Sequence, residues 1–220
     1  MSTHTMTTTG TPRSPTTTPF LRSLSSRSLL IPSKDKPRLY IVLYPRGGSS
    51  PTSSFRNNLN CDAYHWSIVV GPQTSTRKDQ GTRYHVAHLD QESGKYIYED
   101  QDISSSPSLQ NGLIRVTVAK VTDEARLQSI IRGIEIREDD TAFNCLTWVR
   151  DAFLKLHQDG KCLKTYLNAD DWNAVETCAR KYCRRKRDIG RWQEDRVPRG
   201  LWNMEKISTF NFWENRETTP

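Results

Sequence analysis

Cys145 has the surroundings best arranged for covalent chemistry in this chain. It sits in the phrase Phe143-Asn144-Cys145-Leu146-Thr147-Trp148-Val149. Asparagine is a strong helix-capping residue, and an amphipathic pattern starts directly after Asn144. The thiol is therefore expected in the first turn of a helix, where the helix dipole favours an anion. A free thiol has a pKa of about 8.5, so it needs that help, and an imidazole, to act as a nucleophile near neutral pH. Two upstream phrases carry histidine in strand-like settings: Tyr64-His65-Trp66-Ser67-Ile68-Val69-Val70-Gly71 and Tyr84-His85-Val86-Ala87-His88. Cysteine and histidine in this arrangement point to acyl chemistry through a thioester, on an amide or an ester.

The roles can be sorted by position. His65 opens its strand beside Trp66, a good place for a base at the end of a sheet. A third polar group must then hold that base in one tautomer. Residues three apart on a strand point to opposite faces, so His85 and His88 cannot both look towards the thiol. Tyr84, Val86 and His88 share one face, and His85 and Ala87 share the other. His85 is the favoured third group, with His88 in reserve. His157 lies about three turns beyond Cys145 on the same helix, too far to take part. His4 falls in the N-terminal tail.

The other cysteines lack this setting. Cys162 follows Gly160 at a helix end, while Cys178 and Cys183 lie within a helix or a basic run. Five cysteines at irregular spacing, Cys61 included, do not form a disulfide framework. There is no Cys-x-x-Cys pair, and no histidine lies near Cys178 and Cys183, so no metal is expected. Phosphate-binding loops, dinucleotide fingerprints and serine nucleophile elbows are absent as motifs, so no cofactor is expected either.

Several elements must position these groups. Arg38 to Tyr44 is an apolar and aromatic run that reads as a buried strand, ended by Pro45 and the Gly47-Gly48 turn. His65 to Val70, Arg83 to Leu89, Lys95 to Glu99 and Leu113 to Val121 read as four more strands. Their close spacing, without intervening helices, predicts an antiparallel meander. Helices follow. Thr122 is expected to cap one with Leu127, Ile130, Ile131 and Ile134 on a stripe. The Cys145 helix carries Leu146, Val149, Phe153 and Leu156, and Asn168 is expected to cap a third with Trp172, Val175, Ala179 and Tyr182. Strands followed by helices predict an α+β domain, an antiparallel sheet packed against a helix cluster.

These phrases resemble the lecithin:retinol acyltransferase-like branch of the NlpC-type thiol peptidases. The resemblance covers roughly Leu39 to Leu156. In that branch the papain-like core is circularly permuted, so the base histidine precedes the cysteine, as His65 and His85 precede Cys145 here. The resemblance implies a permuted papain-like fold with Cys145 as nucleophile, His65 as base and the second histidine as orienting group. Its substrates would be small-molecule, peptide or lipid acyl compounds. Lipid-acting members follow the Asn-Cys pair with Glu-His-Phe and often carry a hydrophobic C-terminal anchor. This sequence has Leu146-Thr147-Trp148 and no such anchor, which puts amide or ester hydrolysis at least level with lipid acyl transfer. The chain is also similar to uncharacterised fungal proteins of about this size, a likeness that carries no activity.

Composition frames the remainder. The chain has 220 residues, of which 35% are hydrophobic, enough for one modest domain with unstructured ends. No apolar run is long enough for a membrane span. Residues 1–37, rich in Ser, Thr and Pro, read as disordered, 38–187 as the thiol-enzyme domain, and 188–220 as a basic, aromatic extension that docks in part. No acidic residue precedes Asp35, whereas Arg13, Arg22, Arg27 and Lys34 do. That pattern fits a mitochondrial transit peptide or a solvated Ser/Arg tail. Otherwise a reducing interior, cytoplasmic or nuclear, is expected. The net charge of +7 and the dense run Lys181 to Arg187 support a rival reading: a non-catalytic basic module that binds nucleic acid, another anionic surface or a protein partner. A catalytically dead member of the same fold is a third. Oligomeric state is not written in the sequence.

Overall fold

A strand that is apolar on both faces needs cover on both sides, and Arg38–Pro45 has it. In the computed structural model this run forms β1, inside an eight-stranded sheet. The structure describes residues 36–45, 64–73, 76–77, 80–89, 94–105, 109–192 and 202–220. The predicted N-terminal tail, the Gly47-Gly48 turn and Cys61 lie outside them.

The strands are β1, β2 (Tyr64–Gly71), β3 (Thr82–His88), β4 (Tyr96–Asp102), β5 (Ile114–Val121), β6 (Leu163–Lys164), β7 (Ser208–Asn211) and β8 (Arg216–Thr219). Their order across the sheet is β4-β3-β2-β1-β5-β7-β8, with β6 pairing the end of β5. The architecture is α+β, with a mixed, mostly antiparallel open sheet. The first four strands form the expected meander, but β5 does not continue it. It returns to the far side of β1 and pairs with it antiparallel. The chain makes this return across one face of the sheet. Ile103 and Leu109, in the link between β4 and β5, are buried there with Tyr40, Val42, Tyr44 and Val69.

The other face carries the helices: α1 (Glu124–Arg132), α2 (Cys145–Asp159) and α3 (Trp172–Asp188). Leu39, Ile41 and Leu43 of β1, Trp66 and Ile68 of β2, and Tyr84 and Val86 of β3 meet Leu127, Trp148, Val149, Phe153, Val175 and Ala179 in the main core. The cap of α1 is Asp123, not Thr122. The Asp123 carboxylate accepts from the Arg126 backbone N–H, while the Thr122 hydroxyl donates to the Lys161 carbonyl. Asn168 caps a short 3₁₀ turn, 169–171, which leads into α3.

The stretch after Arg187 does more than dock aromatics. It supplies β7, parallel to β5, and β8, antiparallel to β7. Trp192 and Ile207 are buried, and the sheet is incomplete without this segment. Among the described residues no helix is long and apolar enough to cross a membrane.

The base of the β2–β3 hairpin is very tight. A Cβ on Gly71 would lie 1.8 Å from the Gln80 carbonyl oxygen, and one on Gly81 would lie 2.0 Å from the Val70 carbonyl oxygen. Gly81 also has φ +93°, which disfavours any other residue. Gly71→Ala must push two backbones apart. We expect it to destabilise the fold by at least the upper end of the about 1–3 kcal/mol typical of overpacked sites. Urea unfolding measures this, and wild-type stability in that variant would contradict the close approach.

Candidate active site

Strands β2 and β3 are paired only at Ile68↔Tyr84, Val69↔Arg83 and Val70↔Thr82. Beyond Ile68 and Tyr84 each strand keeps its other neighbour. β2 follows β1 as far as Tyr64, and β3 follows β4 as far as His88. His65 and His85 lie on this unpaired stretch. Their side chains span it, with Nε2 of His65 3.0 Å from Nδ1 of His85 and the rings nearly perpendicular.

The protons of this pair can be assigned from its neighbours. The Gln101 amide nitrogen donates to Oε2 of Glu99 at 3.0 Å, which turns its carbonyl oxygen towards His85. Nε2 of His85 then meets two acceptors, Oε2 of Glu99 at 3.1 Å and Oε1 of Gln101 at 3.4 Å. An imidazole nitrogen facing two acceptors carries the proton. Nδ1 of His85 is therefore the acceptor, and the Nε2–H of His65 donates to it. The lone pair of a neutral His65 is left on Nδ1. Arg83 adds a second, longer approach to Nδ1 of His85, at 3.5 Å. Burial and the Arg83 charge pull the His85 pKa down from 6.5 to about 3. His85 is thus neutral at physiological pH, and its contact with Glu99 is a hydrogen bond rather than an ion pair.

The thiol is set by the start of α2. Oδ1 of Asn144 accepts from the backbone N–H of Leu146 at 2.9 Å and of Thr147 at 3.2 Å. The Thr147 hydroxyl accepts from the Asn144 N–H at 2.9 Å, closing a capping box. Cys145 is the first helical residue, is 3% exposed, and belongs to the helix-side core. Helix α2 packs against both β2 and β3. Arg83 has a lowered pKa because it is buried, and the Glu99 carboxylate is among the groups that oppose that shift.

The strand alternation holds, but the faces are assigned differently from the simplest expectation. On β3 the helix-facing side is that of Tyr84 and Val86, the side His88 shares. His65 and His85 point to the other face, where His65 pairs in register with Tyr44. The structure brings His65 and His85 together. No hydrogen bond joins Cys145 to either of them among the described residues. His88 is exposed, stacks on Tyr96 with centroids 4.3 Å apart, and is not part of the relay. His157 donates from Nδ1 to the Phe153 carbonyl and stacks on that ring, a structural role. Arg83, Glu99 and Gln101 are site residues that sequence reasoning missed. Their signal was the shared parity with His85 along β3 and across its register on β4.

None of the four described cysteines is in a disulfide. Burial pushes the thiols of Cys162 and Cys178 up to about 11 and that of Cys183 up to about 12. Among the described residues no group of three His, Cys, Asp or Glu side chains is placed to hold a metal ion.

The described residues form an α+β domain with a thiol at a helix start on one side of the sheet and a hydrogen-bonded histidine pair on the other. The chain belongs to a family of unknown function, DUF6914, whose family model matches residues 36–219. No curated protein and no solved structure matches it.

The depressed pKa of His85 sets a pH dependence. Unfolded histidine takes up its proton near pH 6.5, whereas native His85 does so only near pH 3. The unfolded chain binds more protons in that interval. The contribution of neutral His85 is therefore intact above about pH 6.5 and declines towards about pH 3, by up to about 1.4 kcal/mol per pH unit. In His85→Gln this decline is absent. The stability gap between wild type and variant should narrow as pH falls from 6.5 to 4 in urea titrations. A gap that stays constant would show that His85 titrates normally.

Proposed function

We propose that this protein is a cysteine-dependent hydrolase or acyltransferase on a permuted papain-like core, with Cys145 as nucleophile and His65 as base. The observation that carries this reading is the Gln101–Glu99–His85–His65 relay, which leaves the lone pair of His65 on Nδ1. A relay of this kind orients a base, and Cys145 starts a helix packed on the same two strands. His65 is the more exposed of the two imidazoles. A swing of its ring through the unpaired stretch between β2 and β3 closes the dyad.

The chemistry follows from these groups. Nδ1 of His65 takes the proton from Sγ of Cys145. The thiolate attacks the acyl carbon, and the C–N or C–O bond breaks as the imidazolium returns that proton to the leaving amine or alcohol. Water, or an acceptor alcohol or amine, then attacks the thioester and releases the thiol. The cap uses the N–H groups of Leu146 and Thr147, and the Trp148 N–H bonds the Asn144 carbonyl. The donor left at this end of the helix for an oxyanion is the N–H of Cys145 itself. Neutral His85 accepts from Nε2–H of His65 in both charge states of that ring, and Glu99 offsets the imidazolium charge.

The basic-module reading has less support. Within Lys181 to Arg187, Lys186 is 1% exposed and pairs with Glu217, and Tyr182 and Cys183 are in the core. The exposed cations of that run are Lys181, Arg184 and Arg185, with Glu217 3.9 Å from Arg185. That is a helix with one basic edge, which a solvated surface explains.

Iodoacetamide labelling of the folded chain against pH, read by mass spectrometry, tests the dyad. Cys145 should label more than about tenfold faster than Cys162, Cys178 and Cys183 at pH 7, because raised thiol pKa values leave almost no thiolate at those sites. His65→Ala should slow Cys145 alone and shift its pH profile upward. If Cys145 labels no faster than Cys162, or if His65→Ala leaves its profile unchanged, the thiol-enzyme reading fails.

A further inference from the structure

We propose that Arg83, Tyr44 and Ser67 form a binding site for a small oxyanion, a carboxylate or phosphate group, on the sheet face opposite the helices. All three side chains lie on that face, one on each of three neighbouring strands: Tyr44 on β1, Ser67 on β2 and Arg83 on β3. They are 4%, 0% and 7% exposed. The Arg83 guanidinium carbon lies 4.2 Å from the centroid of the Tyr44 ring. The Tyr44 hydroxyl and Ser67 Oγ are neighbours across β1 and β2, but neither has a partner at hydrogen-bond geometry.

Arg83 lacks a paired acid. Its Nε–H is buried and has no acceptor among the described residues. Among those residues its polar contact is the 3.5 Å approach of Nη2 to His85. Among the described residues no carboxylate lies within ion-pair distance of it. Glu99 is the acid whose charge acts on it, but the Glu99 contacts to His85 and Gln101 both run through Oε2 and none reaches Arg83. A buried guanidinium without a counter-ion is costly, and it is retained where something pairs with it. Its planar fork matches a carboxylate or phosphate edge, and the hydroxyls of Tyr44 and Ser67 supply two further donors.

The cluster is not sealed. His65 is half-buried and the Glu99 side chain is 33% exposed, so solvent reaches the rim. The site itself rests on geometry alone. If the thiol chemistry proposed above holds, the oxyanion is part of the acyl substrate, and only that clause depends on the earlier reading. Arg83 would then select anionic acyl compounds and hold them beside the relay.

The test is titration of the full chain with sodium acetate and, separately, sodium phosphate in chloride-free buffer, following the Arg83 Nε–H and histidine ring signals by NMR. Saturable shifts confined to Arg83, His65 and His85 are expected, lost in Arg83→Gln and weakened several-fold in Tyr44→Phe. Saturation by acetate identifies a carboxylate site, and saturation by phosphate alone a phosphate site. Shifts that are linear with both anions, or that are unchanged in Tyr44→Phe should Arg83→Gln fail to fold, overturn the proposal.

A second readout separates the two readings. The rate ratio of iodoacetate to iodoacetamide at Cys145 should exceed that at Cys162, and fall in Arg83→Gln. Saturation by acetate with Cys145 inert to both reagents keeps the oxyanion site and sinks the thiol enzyme. Fast alkylation of Cys145 without saturation by either anion does the reverse.

Discussion

Only three residue pairs join β2 to β3, and the site depends on where that ladder stops. Gly71 and Gly81 let the two backbones nearly touch at the turn. From there the strands leave each other, because β2 stays with β1 and β3 stays with β4. Continued in the same register, the ladder would set His65 opposite Ala87 and His85 opposite Ser67. The early end leaves two imidazoles on separate strands, free of a shared ladder and close enough to bond. Helix α2, which bears the thiol at its start, packs on the same two strands.

Burial then decides the charge states. His85 is neutral because it is desolvated and because Arg83 stands beside it. A neutral His85 can accept a hydrogen bond from His65 without taking its proton, and Glu99 with Gln101 holds its other nitrogen in the protonated form. Among the described residues no carboxylate lies within ion-pair distance of Arg83, although the Glu99 charge acts on it. The histidine pair and the cation are therefore parts of one electrostatic arrangement around Glu99.

Much of this was legible in the sequence, and the gaps have physical causes. The five longer strands show themselves by apolar runs and alternation, and the start of α2 shows itself by Asn144. The return of β5 to the far side of β1 was hidden, since hydrophobic pattern sets which face is buried but not which neighbour a strand takes. Strands β7 and β8 were missed because four residues in a polar, aromatic tail carry no period. His65 and His85 were found by residue type, while Arg83, Glu99 and Gln101 were not. Charged residues alternating on a strand normally mark a solvated face. Here the link through Ile103 and Leu109 covers part of that face. Parity sets His85 and His88 on opposite faces, as the structure has them, but His88 shares the helix side on which His85 was expected, since parity alone does not say which side faces the helices.

That division of faces bears on how the site works. The thiol belongs to the helix-side core and the histidine pair to the opposite face. In the proposed reaction the base is then not permanently bonded to its nucleophile. His65 has a hydrogen-bonded partner in His85. An anionic group seated at Arg83 would lie on the relay's side of the sheet, next to the ring that must move. Its negative charge favours the imidazolium form of His65, which is the form that follows proton transfer from the thiol. Substrate binding and activation of the thiol would thus act through the same imidazole.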